Sequence, residues 1–194
     1  VILCPDAKSI YQIPSILHAQ HLYDLICDRF GLDTPEADLS DWHQFTQALL
    51  NTQETVTVAM VGKYVELPDA YKSINEALLH AGVANNVKVN IDYVDAEKLE
   101  NDDSLFEHIK SADAVLVPGG FGERGTLGKM KAIRYARENN VPYLGICLGM
   151  QLAVIEFARN VLGLDANSTE FDKKTKAPLI GLITVWFDEK GELQ

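Results

Sequence analysis

The chain of 194 residues has few cysteines, no cluster of basic residues and no long apolar run. Its three cysteines, Cys4, Cys27 and Cys147, are odd in number and lie at no metal-like spacing, which argues against both a disulfide framework and a zinc site. Lys and Arg total 17 against 28 Asp and Glu, a formal net charge of −11, so we expect no basic face that binds nucleic acid. Every apolar run is far shorter than a bilayer span. These absences predict a globular protein of the cytoplasm, where thiols stay reduced, without a membrane segment.

The stretch from Pro142 to Gln151 predicts a short buried strand, a sharp turn at Cys147 and the start of a helix. Gly145 and Gly149 flank the cysteine in the Gly-x-nucleophile-x-Gly pattern of a nucleophile elbow. The N–H groups of the first helical turn and the positive end of the helix dipole would favour a thiolate and stabilise an oxyanion. A buried structural cysteine is the alternative interpretation. The apolar residues that indicate the helix are Met150, Ala153, Val154, Phe157, Ala158 and Val161.

A second glycine-rich turn makes the catalytic interpretation more specific. The apolar strand from Val115 to Val117 runs into Pro118-Gly119-Gly120-Phe121-Gly122. In an open parallel sheet the ends of neighbouring strands line one crevice, so this turn and the cysteine turn should lie close together. Glycines there leave backbone amides bare enough to face a developing negative charge.

Strands and helices alternate from Thr55 onward, which predicts a doubly wound, mainly parallel α/β sheet of flavodoxin-like plan. The expected strands are 55–62, 87–94 at an edge, 114–117, 142–146 and a last one within 178–187. Helices are expected from Asp69 to Gly82, with Ala70, Ile74, Ala77, Leu78 and Ala81 buried, around 105–109, and along 127–136. Before this domain, 1–4 reads as a strand and 16–30 as one amphipathic helix that ends at Gly31. Ser40 is expected to cap a short helix that carries Trp42 and Phe45.

The sequence resembles the class I glutamine amidotransferases across nearly its whole length. The matching stretches are Gly62-Lys63-Tyr64, Glu66 to Ser73, Pro118 to Gly122, Tyr143 to Gln151 and Asn167 to Phe171. Within that family, these motifs are most similar to those of enzymes whose amidotransferase domain follows a nucleotide-binding synthetase domain. The resemblance then implies that 1–30 is the tail of the synthetase domain, 31–54 a linker with a short helix, and 55–194 an amidotransferase domain incomplete at its C-terminus.

The same resemblance implies the roles of individual residues. Cys147 is the expected nucleophile, with Gly120 and Leu148 in the oxyanion hole and Glu170 receiving the α-ammonium group of glutamine. The expected glutamine contacts are Gly120, Phe121, Gly122, Leu148, Gly149, Met150, Gln151 and Glu170. Pro5, Asp6 and Ala7 match a stretch that contacts ATP. The family takes its general base and the orienting carboxylate from a His-Pro-Glu stretch near the end of the domain, and this sequence has no histidine after Cys147.

By resemblance, the whole enzyme is a carbon–nitrogen ligase that uses ATP to aminate UTP to CTP with ammonia from L-glutamine. No cofactor or metal is expected in this stretch, and Mg and ATP are expected in the synthetase domain, through which UTP, ATP and CTP would bind. A homo-oligomer, a tetramer in the full enzyme, is also implied. The alternatives are another class I glutamine amidotransferase, a stand-alone cysteine hydrolase on the same fold, and a non-catalytic assembly module.

Overall fold

A computed structural model describes residues 1–181, 190 and 192. Contacts divide the chain into two compact units, Val1–Glu54 with Leu78–Lys88, and Thr55–Ala77 with Val89–Gln194. The predicted boundary at Thr55 therefore coincides with the start of the second unit, whereas residues 78–88 group with the first. The assignment of 1–30 to a synthetase domain stays a prediction. No helix in the described part of the chain is both long and apolar enough to cross a membrane.

The first unit is helical. Helix α1 comprises Ile13–His18, α2 Leu22–Phe30 and α3 Ser40–Asn51, with a 3-10 turn at Ile10–Gln12. The single helix predicted for 16–30 is wrong, because His21 adopts a left-handed conformation (φ 58°) that separates α1 from α2. Gly31 ends α2 in a left-handed conformation (φ 62°), as predicted. The strand predicted at 1–4 is wrong too, since these residues have no regular structure in the described chain.

An aromatic cluster explains why residues 78–88 belong to the first unit. The Tyr11 ring centroid lies 5.0 Å from that of Phe45 and 5.3 Å from that of His80, and Trp42 packs on the same group. The Trp42 indole N–H donates to the carbonyl of Tyr11. Such pairs stabilise a packed cluster beyond the apolar area that they bury. At the start of α3 the N-cap position is Leu39 rather than Ser40, and Oδ1 of the preceding Asp38 accepts from the Ser40 N–H at 2.9 Å.

The second unit is built on a four-stranded sheet in the order β2-β1-β3-β4. Its strands are β1 Thr55–Gly62, β2 Lys88–Asp95, β3 Ala114–Val117 and β4 Tyr143–Gly145, and β1, β3 and β4 pair in parallel. Helix α4 comprises Lys72–Ala84, α5 Phe106–Lys110, α6 Thr126–Glu138 and α7 Leu148–Asn160. The predicted α/β class is confirmed, and β2 lies at the edge of the described sheet as expected.

Two features of this unit differ from the sequence prediction. The polar stretch after α7 contains a short strand, β5 (Ala166–Ser168), which pairs in parallel with β6 (Ala177–Ile180) in a separate two-stranded sheet. The last predicted strand, 178–187, is thus described only at its start, and 182–187 lie outside the described residues. Helix α4 follows a 3-10 turn at Pro68–Tyr71 and ends at Ala84 rather than at Gly82. Its expected buried stripe is wrong, since Ala70, Ala77 and Ala81 are exposed.

The core of the second unit lies between the sheet and helices α6 and α7. Buried apolar side chains include Val61, Val115, Val117, Ile133, Leu152 and Ile155. Part of the α7 face predicted to be apolar lies outside this core, because Met150, Val154 and Phe157 are 55%, 43% and 46% exposed, whereas Ala158 is buried and Ala153 packs against the core as predicted. Leu148, Leu152 and Ile155 are buried instead. Helix α7 therefore has apolar residues on two faces, and only one of them contacts the sheet.

The two faces of α7 should respond differently to truncation. We expect Leu152→Ala to lower the free energy of unfolding by about 3 kcal/mol, because a buried leucine leaves a cavity. Val154→Ala is the matched control on the same helix, and it should change stability by less than about 0.5 kcal/mol because Val154 is 43% exposed and lies outside the buried core. Urea unfolding of the two variants beside the wild type measures both values. Equal losses would mean that the second face is buried in solution.

Candidate active site

Cys147 lies at the junction of strand and helix, as predicted. It is the N-cap residue of α7, it is exposed, and its backbone has φ 51° and ψ −108°. This conformation is unfavourable for a residue with a Cβ and costs on the order of 1–3 kcal/mol, which the surrounding packing must offset. Strain of this kind is typical of nucleophile elbows, where it lifts the reactive side chain clear of the sheet.

The glycines on either side of Cys147 permit the close packing that imposes this turn. A Cβ on Gly149 would lie 2.1 Å from the carbonyl oxygen of Val117, and a Cβ on Gly145 would lie 2.6 Å from the Gly149 carbonyl carbon. Both distances are too short for any larger residue. The first turn of α7 therefore packs directly on the backbone of β3, and this contact requires glycine.

Hydrogen bonds fix the same turn. The Ile146 N–H donates to the Val117 carbonyl at 3.0 Å and the Gly149 N–H donates to the Ile146 carbonyl at 2.9 Å. The phenol of Tyr143 donates to the Gly149 carbonyl at 2.8 Å, and burial raises the pKa of this phenol well above its usual range. Both backbone polar groups of Gly149 are thus engaged inside the protein. Leu148, at the first helical position, has an N–H for which an α-helix supplies no acceptor.

The glycine-rich turn after β3 lies beside the cysteine turn, as the sequence predicts. A Cβ on Gly119 would be 3.5 Å from the Cβ of Cys147, and one on Gly120 would be 3.5 Å from Cδ2 of Leu148. The two predicted oxyanion-hole residues, Gly120 and Leu148, are therefore neighbours next to the exposed thiol. The arrangement can direct backbone N–H groups toward an oxygen bound to the carbon that Cys147 attacks.

Two charged side chains bind the far end of this turn. The Lys63 ammonium donates to the carbonyl oxygens of Phe121 at 2.6 Å and of Gly122 at 3.3 Å. Burial lowers the pKa of Lys63, and the charge of Arg124 lowers it further. The Gly122 N–H donates to Oε1 of Glu170 at 2.8 Å. Glu170 is thus brought to the site, whereas the contact of Lys63 is one that sequence reasoning missed.

The remaining residues predicted to contact glutamine have different surroundings. Phe121 is 85% exposed, and the Gln151 N–H donates to the Cys147 carbonyl at 3.0 Å. Met150 faces an apolar groove of about 430 Å³ that also contacts Phe157 and Leu179. An apolar groove does not suit the charged groups of glutamine, so the Met150 side chain is placed away from the expected ligand.

None of the five histidines, all of which the structure describes, hydrogen-bonds to Cys147. His108 Nδ1 lies 2.8 Å from Oδ2 of Asp92, and His80 is in the aromatic cluster of the first unit, where its Nε2 meets the Tyr11 hydroxyl. The site as described thus contains a thiol and amide donors but no imidazole base. Pro5, Asp6 and Ala7 lie in an irregular segment of the first unit, where Pro5 and Asp6 are exposed.

An exposed cysteine on a strained strand–helix turn, next to a second turn rich in backbone amides, is an arrangement suited to cysteine-dependent acyl transfer, and it lies on a parallel α/β sheet. Residues 66–183, more than half of the chain, match the family model of glutamine amidotransferase class-I. The chain belongs to that family, as its sequence motifs predict.

Two relatives are particularly similar. The curated CTP synthase of Acinetobacter baylyi is 67% identical over 196 aligned residues, which cover 100% of this chain and 36% of that protein. A solved structure, the glutaminase domain of Trypanosoma brucei CTPS with bound acivicin, is 43% identical with a TM-score of 0.63, and the match covers 70% of this chain and 53% of that one. The chain thus spans about a third of the length of the curated relative.

The structure distinguishes the two glycines on either side of the site. Gly149→Ala should lower the free energy of unfolding by about 3 kcal/mol, because the added methyl group meets the Val117 carbonyl. Gly120→Ala is the control, and it should change stability by less than about 0.5 kcal/mol because its methyl group makes only ordinary contacts. Urea unfolding of the two variants beside the wild type measures both changes in the free energy of unfolding. If Gly149→Ala is as stable as Gly120→Ala, the packing of α7 on β3 is not what positions Cys147.

Proposed function

We propose that this chain is the glutamine-hydrolysing part of a CTP synthase, with Cys147 as its nucleophile. The observation that carries the proposal is the position of Cys147: an exposed thiol at a helix N-terminus, beside Gly119 of the glycine-rich turn. The similarity to the Acinetobacter baylyi CTP synthase supports the choice of this enzyme among the members of the family.

In the proposed reaction the Cys147 thiolate attacks the side-chain amide carbon of L-glutamine. The amide π electrons move to oxygen, and the N–H groups of Leu148 and Gly120 stabilise this oxyanion. Collapse of the intermediate breaks the C–N bond, and the nitrogen leaves as ammonia with a proton from a general acid. Water then hydrolyses the resulting γ-glutamyl thioester, which gives glutamate and returns the thiol.

Recognition of glutamine requires an anion for its α-ammonium group. Glu170 suits this role because one of its oxygens is fixed by the Gly122 N–H, while the carboxylate as a whole is exposed. A carboxylate fixed in this way loses less side-chain entropy when it binds an ammonium group. Phe121 and Gly122, whose carbonyl groups are bound by Lys63, would then border the substrate on one side.

The activity of the whole enzyme is part of the proposal. A CTP synthase would use the released ammonia to aminate UTP with ATP, and Mg and ATP would act in its synthetase domain. The described residues contain no cluster of His, Cys, Asp or Glu suited to a metal ion. We also propose that Pro5, Asp6 and Ala7 contact ATP, that UTP and CTP bind through the synthetase domain, and that the enzyme is a homo-oligomer.

Glutamine should protect Cys147 from a glutamine-like electrophile. We expect acivicin to label Cys147 much faster than Cys4, which is also exposed, and we expect L-glutamine but not D-glutamine to slow only the labelling of Cys147. Peptide mass spectrometry of the labelled chain gives both rates. Labelling of Cys147 that glutamine leaves unchanged would favour a different cysteine hydrolase, and an inert Cys147 would favour a non-catalytic module.

The chain of 194 residues by itself should release ammonia from glutamine very slowly. Its site lacks an imidazole that contacts Cys147, and loss of the base from a nucleophile–base pair costs several orders of magnitude in turnover. An ammonia assay beside a form of the protein extended past Gln194 tests this expectation. Comparable rates that fall in His80→Ala or His108→Ala would mean that one of these histidines is the base.

A further inference from the structure

Lys129 is the charged residue that neither the fold nor the proposed reaction explains. It lies on α6 and is 0% exposed, and its ammonium nitrogen has no hydrogen-bond partner among the described residues. Lysine is almost never fully buried unless it is paired. An apolar side chain of similar length, such as methionine, would occupy the same place without the cost of removing a charge from water.

Burial of Lys129 disfavours its charged form and therefore lowers its pKa. Burial and, to a smaller extent, the charge of Lys63 together lower the pKa of Lys129 from 10.5 to about 8. The ammonium form still predominates below pH 8. A buried and unpaired cation destabilises the folded protein. This destabilisation is offset if negative charge approaches the cation when the site is in use.

The ammonium group of Lys129 is directed at the glycine-rich turn. Its Nζ is 3.5 Å from the position that a Cβ on Gly120 would occupy, and Leu148 Cδ2 is equally close. The preceding residue, Gly119, lies beside Cys147, because a Cβ on Gly119 would be 3.5 Å from the Cβ of Cys147. Of these two consecutive glycines, Gly120 lies beside the lysine and Gly119 beside the cysteine. Neither has a side chain that would separate the charge of Lys129 from Cys147.

The charged groups on neighbouring elements do not neutralise Lys129. Lys63, on the turn after β1, adds positive charge. Glu170 binds the Gly122 N–H, and Glu97 and Glu156, from the segment after β2 and from α7, are each paired with an arginine. Among the described residues, Lys129 therefore has no carboxylate partner, and the charge that acts on its pKa is the positive one of Lys63.

We propose that Lys129 is a positioning residue that acts by charge through the Gly119–Gly120 backbone and stabilises negative charge at Cys147, both the thiolate and the oxyanion. Its effect on the thiolate is independent of any substrate. Its effect on the oxyanion rests on the proposed glutaminase function. The lysine need not touch the substrate, because a charge that is poorly screened by water acts over several ångströms.

The test compares two alkylating reagents on a form of the chain in which Cys4 and Cys27 are serine. Iodoacetate is an anion and iodoacetamide is neutral, so the ratio of their rates at Cys147 reports local charge, while the thiolate fraction cancels from the ratio. We expect Lys129→Met to lower this ratio roughly three- to tenfold at pH 7. Lys129→Arg should restore much of it.

Lys131→Met is the matched control. Lys131 lies two residues further along α6, but its Nζ donates to the Leu99 and Glu100 carbonyl oxygens and pairs with Asp103. Its removal should leave the ratio unchanged. A folded Lys129→Met with the wild-type ratio, or an equal change in Lys131→Met, would overturn the proposal.

The protein with Lys129 intact provides a second measurement that does not depend on how the variant folds. The ratio of iodoacetate to iodoacetamide rates should fall by about two- to threefold between pH 7 and pH 9 as Lys129 loses its proton. A flat ratio over this range would overturn the proposal. Neither measurement requires glutamine. The proposed function is tested separately, and it fails if glutamine does not protect Cys147 from labelling.

Discussion

The contact between Gly149 and the Val117 carbonyl is the constraint on which the site depends. It brings the first turn of α7 directly onto the end of β3, at a distance that excludes every side chain. The chain must therefore turn within the two residues between β4 and α7, Ile146 and Cys147, and Cys147 adopts the positive φ. Exposure of the thiol, its place at a helix N-terminus and its proximity to Gly119 all follow from this packing.

The opposite wall of the site is a loop whose backbone is fixed by side chains from elsewhere in the second unit. Lys63 binds two of its carbonyl groups, Glu170 accepts from one of its N–H groups, and Lys129 lies beneath Gly120. A loop of glycines is flexible by itself, and these contacts restrict it. The loop that we propose to bind substrate and stabilise the oxyanion is therefore held in place by charged side chains before substrate binds.

Sequence reasoning was successful where local pattern determines structure. The strand–turn–helix switch at Cys147 could be read directly, because glycine spacing and a change of periodicity mark it. Which face of α7 is buried could not be read, since both faces carry apolar residues and tertiary packing chooses between them. The contacts of Lys63 and Lys129 were missed for a related reason: a lysine is usually a surface residue, and its burial depends on elements distant in sequence.

Cys147 is the residue that we propose to accept a γ-glutamyl group. A γ-glutamyl thioester of a small thiol tests it most directly, because its leaving group departs as a thiolate and needs no general acid. After acid quench, mass spectrometry should find the γ-glutamyl group on Cys147, with little on the equally exposed Cys4. Acylation of Cys4 and Cys147 at the same rate, or none at Cys147, would contradict the account.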